Sequence, residues 1–134
     1  TDAVVLALPR GGVVVGRAVA DALSLPLDII ATRKIGHPAN PEYAIGAVDA
    51  YGLSVFNETE VASVDAKWLN EEIEKQKEEA ERRTNVYRKG KKPIDLSRKV
   101  VIIIDDGIAT GFTMRLAAKA ASIPAWPPPM TMQS

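Results

Sequence analysis

Several residue types are scarce or absent in this chain of 134 residues, and each absence excludes a class of chemistry. There is no cysteine, which excludes disulfide bonds, thiol catalysis and zinc sites with sulfur ligands. There is one histidine, His37, so a histidine-rich metal site is excluded and histidine-based catalysis has a single candidate. The 17 basic and 17 acidic residues balance, so no net charge attracts nucleic acid or an anionic membrane. We therefore expect neither as a partner.

Long apolar runs are also missing. No stretch is long enough to span a bilayer, and no signal peptide is recognisable. A chain of this length can bury a real core as one domain. We therefore expect a soluble, cytoplasmic protein with one domain over residues 1–121 and a tail over residues 122–134. The tail is rich in proline, which cannot form a central strand.

The most informative stretch covers residues 100–113. Five β-branched apolar residues, Val100 to Ile104, predict a strand that is buried on both faces, as in a parallel sheet. Asp105 and Asp106 then follow at the carboxyl end of that strand, which is the edge where open α/β sheets bind ligands. The next loop precedes a helix-like stretch, so its backbone N–H groups and threonine hydroxyls suit a phosphate group.

The run Ile-Ile-Ile-Asp-Asp-Gly-Ile-Ala-Thr-Gly-Phe-Thr at residues 102–113 resembles the phosphoribosyl pyrophosphate (PRPP) signature of the type I phosphoribosyltransferases. The resemblance implies that Asp105 and Asp106 hold the ribose hydroxyls and that the loop after them binds the 5′-phosphate. The loop residues are Ala109, Thr110, Gly111, Phe112 and Thr113. The alternative without this function is a buried strand that ends in a solvated Asp-Asp-Gly turn.

A second candidate ligand loop, Pro9-Arg10-Gly11-Gly12, follows the first predicted strand at residues 3–8. Adjacent glycines let the backbone approach a ligand closely, and the guanidinium group of Arg10 suits a phosphate. In the family, a loop at this position binds pyrophosphate, so the resemblance assigns pyrophosphate to Arg10, Gly11 and Gly12.

The same glycines could also belong to a dinucleotide-binding turn. Two features oppose that alternative. Val13 breaks the G-x-G-x-x-G pattern, and the second predicted strand runs into Thr32 and Arg33 rather than into an acidic ribose ligand. Arg33 could still accept the 2′-phosphate of a phosphorylated dinucleotide.

The second predicted strand, residues 27–31, leads into a segment rich in glycine, proline and charge. This composition argues against a long helix and favours a structured lid over about residues 33–56. In the family, a hood over the active site supplies basic residues to the pyrophosphate, which implies that role for Arg33 and Lys34. The lid sequence resembles a subgroup whose base substrate is unassigned. A surface loop with merely solvated charges is the alternative.

Strands at 3–8, 27–31 and 100–104 alternate with helical segments and predict an α/β fold, a three-layer α/β/α sandwich with a mostly parallel sheet. A long charged helix is predicted over about residues 65–88. The family topology would add an antiparallel strand from the hood, near residues 52–56.

In the family, two further core strands follow the phosphate loop, and the sequence shows no counterpart of them. We therefore expect a C-terminally shortened phosphoribosyltransferase-like sheet with the 100–104 strand at its edge. An exposed apolar edge strand favours aggregation unless something covers it. A second copy of the chain, or the proline-rich tail, is expected to do so.

The implied reaction is displacement of pyrophosphate from the ribose C1 of PRPP by a nitrogenous base, with Mg²⁺ held through PRPP and by Asp105 or Asp106. Relatives that act on hypoxanthine or guanine carry an aspartate where this chain has Ala109. Any acid or base is therefore sought in the lid, where Glu42 and His37 are the candidates. The alternative function is a non-catalytic regulatory module that binds PRPP or a nucleotide.

Overall fold

The structure is a computed structural model that describes residues 2–105 and 111–128. The chain begins with a strand, a helix and a strand and ends with a helix, a strand and a helix, as expected for an α/β domain, and three strands and a short helix lie between these two parts. In chain order the helices and strands are β1 (Ala3–Ala7), α1 (Gly11–Leu23), β2 (Leu27–Ile29), β3 (Thr32–His37), β4 (Asn40–Asp49), β5 (Ser54–Phe56), α2 (Glu58–Ala62), α3 (Ala66–Arg88), β6 (Val100–Ile104) and α4 (Phe112–Ala121).

The core sheet is parallel and has the strand order β2-β1-β6. Side chains of β1 alternate between its two faces. Val4 and Leu6 pack towards α4, together with Ala117, while Ala7 packs towards α1, next to Val13. The predicted α/β fold with a parallel sheet between helical layers is thereby confirmed. In the described part of the sheet, β6 pairs with β1 alone and lies at an edge, as predicted.

The predicted lid is a second sheet, which we call the hood, and it consists of β3, β4 and β5 in an antiparallel arrangement. Ile35 and Ile45 pack on one face against Leu69 of α3. On the other face, Ala47 packs against Leu116 of α4. Helix α4 therefore lies between the two sheets and fixes the hood relative to the core.

The antiparallel strand expected near residues 52–56 is present as β5, but it pairs with β4 of the hood and not with the core sheet. The reason is a local fit between Gly46 and Phe56. These two residues are paired across the strands, and the ring of Phe56 occupies the space that a Cβ at residue 46 would need.

Helix α3 begins where its sequence predicts. The carboxylate of Asp65 accepts a hydrogen bond from the N–H of Trp68 at 2.9 Å, which caps the helix. At the other end, Arg88 forms an ion pair with Asp28 at 3.4 Å and donates to the Tyr51 hydroxyl at 2.6 Å. These contacts attach α3 to the core sheet beside β2. Within residues 2–105 and 111–128, α3 and the other helices fall short of the combined length and apolar character that crossing a membrane requires.

The first residues of the predicted proline-rich tail pack against the domain. Trp126 is buried among Leu6 and Leu96, and its carbonyl oxygen accepts a hydrogen bond from the Leu96 N–H at 3.0 Å. Val100, by contrast, is 67% exposed at the start of β6. The described tail residues therefore cover a face of the core sheet, and the association of two copies along the β6 edge stays a prediction.

Candidate functional site

One cleft lies where β1 and β6 end, under the first strand of the hood, and its volume is about 340 Å³. It brings together segments that are far apart in the sequence. The described residues that line it are Leu8, Pro9, Thr32, Arg33, Lys34, Asp105 and Thr113. Segments of the two predicted ligand loops, one of the two predicted acidic residues and the predicted basic pair therefore meet in one place. We call this the main cleft.

Pro9 lines this cleft, and helix α1 begins two residues after it. Arg10 is the N-cap residue, and among the described residues no side chain caps the helix and no acidic residue lies in its first turn. Free N–H groups and the positive end of the helix dipole make such a terminus suitable for an anion. Gly11 and Gly12 are the first two residues of the helix, as the predicted pyrophosphate loop requires.

Gly12 also has a packing role. A Cβ at this residue would lie 2.8 Å from the carbonyl oxygen of Ile104 and 3.3 Å from the Cα of Asp105. Real Cβ atoms do not come this close to backbone, so only glycine lets α1 pack against the end of β6. The consequence for the site is that the N-terminus of α1 lies next to Asp105.

The N-terminus of α4 forms another wall of the main cleft. Gly111 is its N-cap residue with a φ of 81°, and among the described residues neither a capping side chain nor an acidic residue of the first turn is present. Thr113 lines the cleft, whereas Phe112 is buried between Ala47 and Leu116. The bulky Phe112 side chain therefore points towards the hood and leaves the cleft open.

Three of the predicted ligand residues, Asp106, Ala109 and Thr110, lie outside the described residues. Their assignment to the ribose and to the 5′-phosphate stays a prediction. The residues on either side of them, Asp105 and Gly111, are described, and Asp105 lines the main cleft.

The basic pair comes from the first residues of β3. Arg33 donates a hydrogen bond from Nε to the side-chain oxygen of Gln76 on α3 at 2.9 Å. Burial, and then the nearby charge of Arg83, lowers the pKa of the Arg33 guanidinium from its usual value. Lys34 is exposed beside it. Helix α3 thus holds the Arg33 guanidinium in a defined position, while Lys34 lies at the exposed surface of the cleft.

Arg10 lies apart from these residues. Its side chain is exposed and lines a neighbouring cleft together with residues of α3, whereas Pro9 lines the main cleft. The Pro9–Arg10 peptide therefore separates two clefts. The assignment of Arg10 to pyrophosphate stays a prediction.

The two predicted acid or base candidates lie near the hairpin that joins β3 to β4. Nδ1 of His37 accepts a hydrogen bond from the Ala39 N–H at 3.0 Å, and its ring lies 6.5 Å from that of Tyr43. Glu42 is exposed on β4. Both are absent from the described lining of the main cleft, and at about 3.3 Å per strand residue His37 lies roughly 10 Å beyond Lys34. Their catalytic roles stay predictions.

Thr32 lines the main cleft but was not among the residues predicted for the site. A signal for it exists in the sequence, because this hydroxyl residue follows the buried residues Ile30 and Ala31 and directly precedes the basic pair. A polar residue at the carboxyl end of a buried strand lies at the edge where ligands bind.

The lining of the main cleft also bears on metal binding. Among the described residues, no group of three carboxylate or imidazole side chains could enclose a metal ion. Asp105 is the one carboxylate of the described lining, and the hydroxyls of Thr32 and Thr113 are further hard oxygen atoms. This donor set fits Mg²⁺, which is commonly held by one or two carboxylates, phosphate groups of the ligand and water.

Comparison with known proteins finds matches that cover most of the chain. A family model described as "Phosphoribosyl transferase domain" matches residues 1–121. Two curated relatives from Mycobacterium tuberculosis, "Putative phosphoribosyl transferase Rv0571c" and "Putative phosphoribosyl transferase MT0597", are each 42% identical over 120 residues. The match covers 88% of this chain and 27% of each relative, so the chain spans about a quarter of their length.

A solved structure is also similar. The crystal structure of TT1426 from Thermus thermophilus is 37% identical to this chain and superimposes with a TM-score of 0.73. The match covers 90% of this chain and 58% of that protein. With this coverage, the shared part takes in most of both sheets.

Proposed function

Because this chain belongs to the phosphoribosyl transferase domain family, we propose that it transfers the phosphoribosyl group of PRPP to a nitrogenous base and releases pyrophosphate, with Mg²⁺ as the cofactor. One observation carries the proposal. The described lining of one cleft combines a carboxylate, two cations and the first turn of α4, and the N-terminus of α1 lies next to that carboxylate, although these segments are far apart in the chain. The carboxylate suits the ribose hydroxyls of PRPP, and the cations and helix N-termini suit its 5′-phosphate and its pyrophosphate.

Each part of PRPP has a partner in this arrangement. The carboxylate of Asp105 accepts hydrogen bonds from the ribose hydroxyls, while the hydroxyl of Thr113 and the N-terminus of α4 bind the 5′-phosphate. The pyrophosphate lies against the N-terminus of α1, where Arg33 and Lys34 reach it from the hood. Gly11 lets it approach the backbone closely, while Gly12 keeps this helix terminus packed against the end of β6.

The proposed reaction breaks the bond between C1 of the ribose and a pyrophosphate oxygen, and the electron pair leaves with that oxygen. A nitrogen atom of the base supplies the pair for the new bond to C1. Positive charge develops on the ribose ring and negative charge on the leaving group. Arg33, Lys34 and the N-terminus of α1 stabilise the leaving group, and the hood limits the access of water.

The base nitrogen loses a proton when the new bond forms. His37 and Glu42 are the proposed acceptors, and this role requires the end of the hairpin to approach the main cleft. Asp105 would hold Mg²⁺ on the ribose side of PRPP. The ion, when bound, neutralises part of the diphosphate charge.

A second function, regulation through PRPP binding without catalysis, is favoured by one feature of the lining. The two proposed proton acceptors, His37 and Glu42, are absent from its described residues, so the cleft can bind the sugar phosphate while both stay outside it. The groups that bind PRPP are the same in both functions. Only turnover separates them.

The test is pyrophosphate release from PRPP and Mg²⁺ in the presence of single purine and pyrimidine bases. Catalysis predicts release that depends on one base and falls about a hundredfold in Asp105→Asn. Asp21→Asn, a change of an exposed carboxylate on α1, is the matched control and is expected to retain the activity. PRPP binding without release for any base would instead support the regulatory function. Absence of both binding and release in the folded protein would contradict both functions.

A further inference from the structure

The neighbouring cleft that contains Arg10 has features of a ligand site of its own. Its volume is about 310 Å³, similar to that of the main cleft. The described residues that line it are Arg10, Arg82, Arg83, Val86 and Tyr87. We call it the arginine cleft. It adjoins the main cleft at the Pro9–Arg10 peptide, and these two sets of described lining residues do not overlap.

Three arginines from two separate elements face the arginine cleft. Arg10 precedes the first turn of α1, and Arg82 and Arg83 lie near the C-terminal end of α3. Among the described lining residues none is acidic. Guanidinium groups bind phosphate oxygens through paired hydrogen bonds, and several of them around one space suit a ligand with more than one phosphate.

The charges next to the arginine cleft do not balance. Glu79 is paired with both Arg82 and Arg83, the latter at 3.3 Å. Arg33 lies close enough for Arg83 and Arg82 to lower its pKa, after the larger effect of burial, while Glu79 and Glu72 act in the opposite direction. Arg82 and Arg83 therefore share one carboxylate, and Arg10 adds a third guanidinium group to the cleft. An anion in the cleft would neutralise this excess.

The arginine cleft also has an apolar side. Val86 is 59% exposed and Tyr87 is 38% exposed, and both follow the two arginines on α3. Large apolar side chains at the surface of a cleft offer a contact for a planar ring, and a tyrosine ring stacks well on another aromatic group. Inorganic phosphate would contact the arginines alone. A ligand with phosphates at one end and an aromatic ring at the other would contact both sides.

We propose that the arginine cleft binds a nucleoside diphosphate, with its phosphates on Arg10, Arg82 and Arg83 and its base against Val86 and Tyr87. The proposal goes beyond the transferase reaction and does not depend on it, because Arg82 and Arg83 line this cleft and are absent from the described lining of the main cleft. A nucleotide bound here contacts Arg10, which directly follows Pro9 of the main cleft. It is therefore positioned to change how the predicted pyrophosphate loop, residues 9–12, binds its ligand.

The test is calorimetric titration of the protein with ADP. Saturable binding is expected in the unmodified protein, and the double variant Arg82→Gln, Arg83→Gln should bind about tenfold more weakly or worse. The double variant Lys67→Gln, Lys75→Gln removes the same charge from exposed positions of the same helix that do not line the cleft. It should bind ADP normally. Circular dichroism checks that both variants are folded.

Two single variants sharpen the test. Glu79→Gln frees both α3 arginines from their carboxylate partner, so ADP should bind about twofold to fivefold more tightly. Tyr87→Leu should weaken ADP binding about threefold or more while leaving tripolyphosphate binding unchanged, because only the base contacts the ring. Equal binding of ADP and tripolyphosphate, together with no effect of Tyr87→Leu, would overturn the nucleotide assignment.

The arginine cleft and the main cleft are separated by a crossed comparison. The arginine variant should lose ADP and retain PRPP, whereas Asp105→Asn should lose PRPP and retain ADP. Loss of ADP in Asp105→Asn, with normal ADP binding in the arginine variant, would place ADP in the main cleft and overturn the proposal. No ADP binding by the folded, unmodified protein would also overturn it. Failure of PRPP to bind any of the proteins would contradict the transferase function and leave the ADP result valid.

Discussion

The carbonyl oxygen of Ile104 lies directly against Gly12, where a Cβ would be only 2.8 Å away. This contact joins the end of β6 to the first turn of α1. It brings Asp105 within reach of the predicted pyrophosphate loop, although the two segments are more than ninety residues apart. The geometry of the main cleft therefore depends on the absence of a side chain at residue 12.

We predict that Gly12→Ala destabilises the protein. An alanine usually stabilises a helix relative to glycine by about 0.5–1 kcal/mol. Here the neighbour is backbone and cannot move aside, so the free energy of unfolding should fall by about 1–3 kcal/mol. Urea unfolding measures the change, and Val14→Ala, at an exposed position on the same helix, should stay within about 0.5 kcal/mol of the unmodified protein. A Gly12→Ala protein as stable as the original would contradict the packing described here.

The hydrogen bond between Arg33 and Gln76 leads to a prediction about affinity. Gln76 does not line the main cleft, but its side chain holds the Arg33 guanidinium at 2.9 Å. Gln76→Leu should weaken PRPP binding about threefold to tenfold, because Arg33 loses its fixed position. Arg33→Gln should weaken it further.

A double variant separates positioning from a general effect on the fold. If Gln76 acts through Arg33, then Gln76→Leu should have almost no effect on the PRPP affinity of a protein that already carries Arg33→Gln. Calorimetry gives all four dissociation constants. Additive effects of the two changes would show that Gln76 acts by another route.

Asp49 leads to a prediction about pH. The side chain is 0% exposed, and one oxygen accepts the N–H groups of Tyr51 and Leu53 at 2.9 Å each. The other oxygen has no hydrogen-bond partner within the described ranges. Burial raises the pKa of Asp49 to about 6, against the hydrogen bonds from Tyr51 and Leu53, which lower it.

Because this pKa lies above that of an unfolded aspartate, the folded state binds more protons between about pH 4 and pH 6. Stability should therefore fall as the pH rises through this window and level off above it. Asp49→Asn removes the charge, so its stability relative to the unmodified protein should increase by about 1–3 kcal/mol between about pH 4.5 and pH 7.5. Urea unfolding at both values measures this difference.

Asp95 provides the control for the pH experiment. Its pKa is lowered by the hydrogen bond that it accepts from the Ser97 N–H, so it titrates below the window of Asp49. Asp95→Asn should leave the dependence between about pH 4.5 and pH 7.5 unchanged. If Asp49→Asn also leaves the pH dependence of stability unchanged, the pKa of Asp49 is not raised as described.

Much of the site could be predicted from the sequence because its signals are local. A run of β-branched residues followed by Asp105 predicts a strand end with a ligand group, and Asp65 marks the start of α3. Because β1 and β6 are parallel, their carboxyl ends and the loops that follow them meet at one edge of the sheet. The main cleft brings Pro9, Asp105 and Thr113 together in this way.

Other features depend on contacts between distant residues. The hood was predicted as a structured lid without strand assignments for residues 32–49, because glycine and proline interrupt the alternation of β3 and β4, whose pairing contains register shifts. The side chain of Arg10 lines a cleft together with residues of α3, and the sequence does not show where α3 lies relative to Arg10. Nothing in the sequence around Asp49 indicates that its carboxylate is buried while it accepts the N–H groups of Tyr51 and Leu53.

PRPP binding is the decisive measurement for the proposed site. Calorimetry with PRPP and Mg²⁺ compares the unmodified protein with Asp105→Asn and with the surface control Asp21→Asn, and circular dichroism confirms that each is folded. Our account predicts saturable, Mg²⁺-dependent binding in the unmodified protein and the control, and a loss of about a hundredfold or more in Asp105→Asn. Equal binding in all three proteins, or no binding by the folded, unmodified protein, would contradict it.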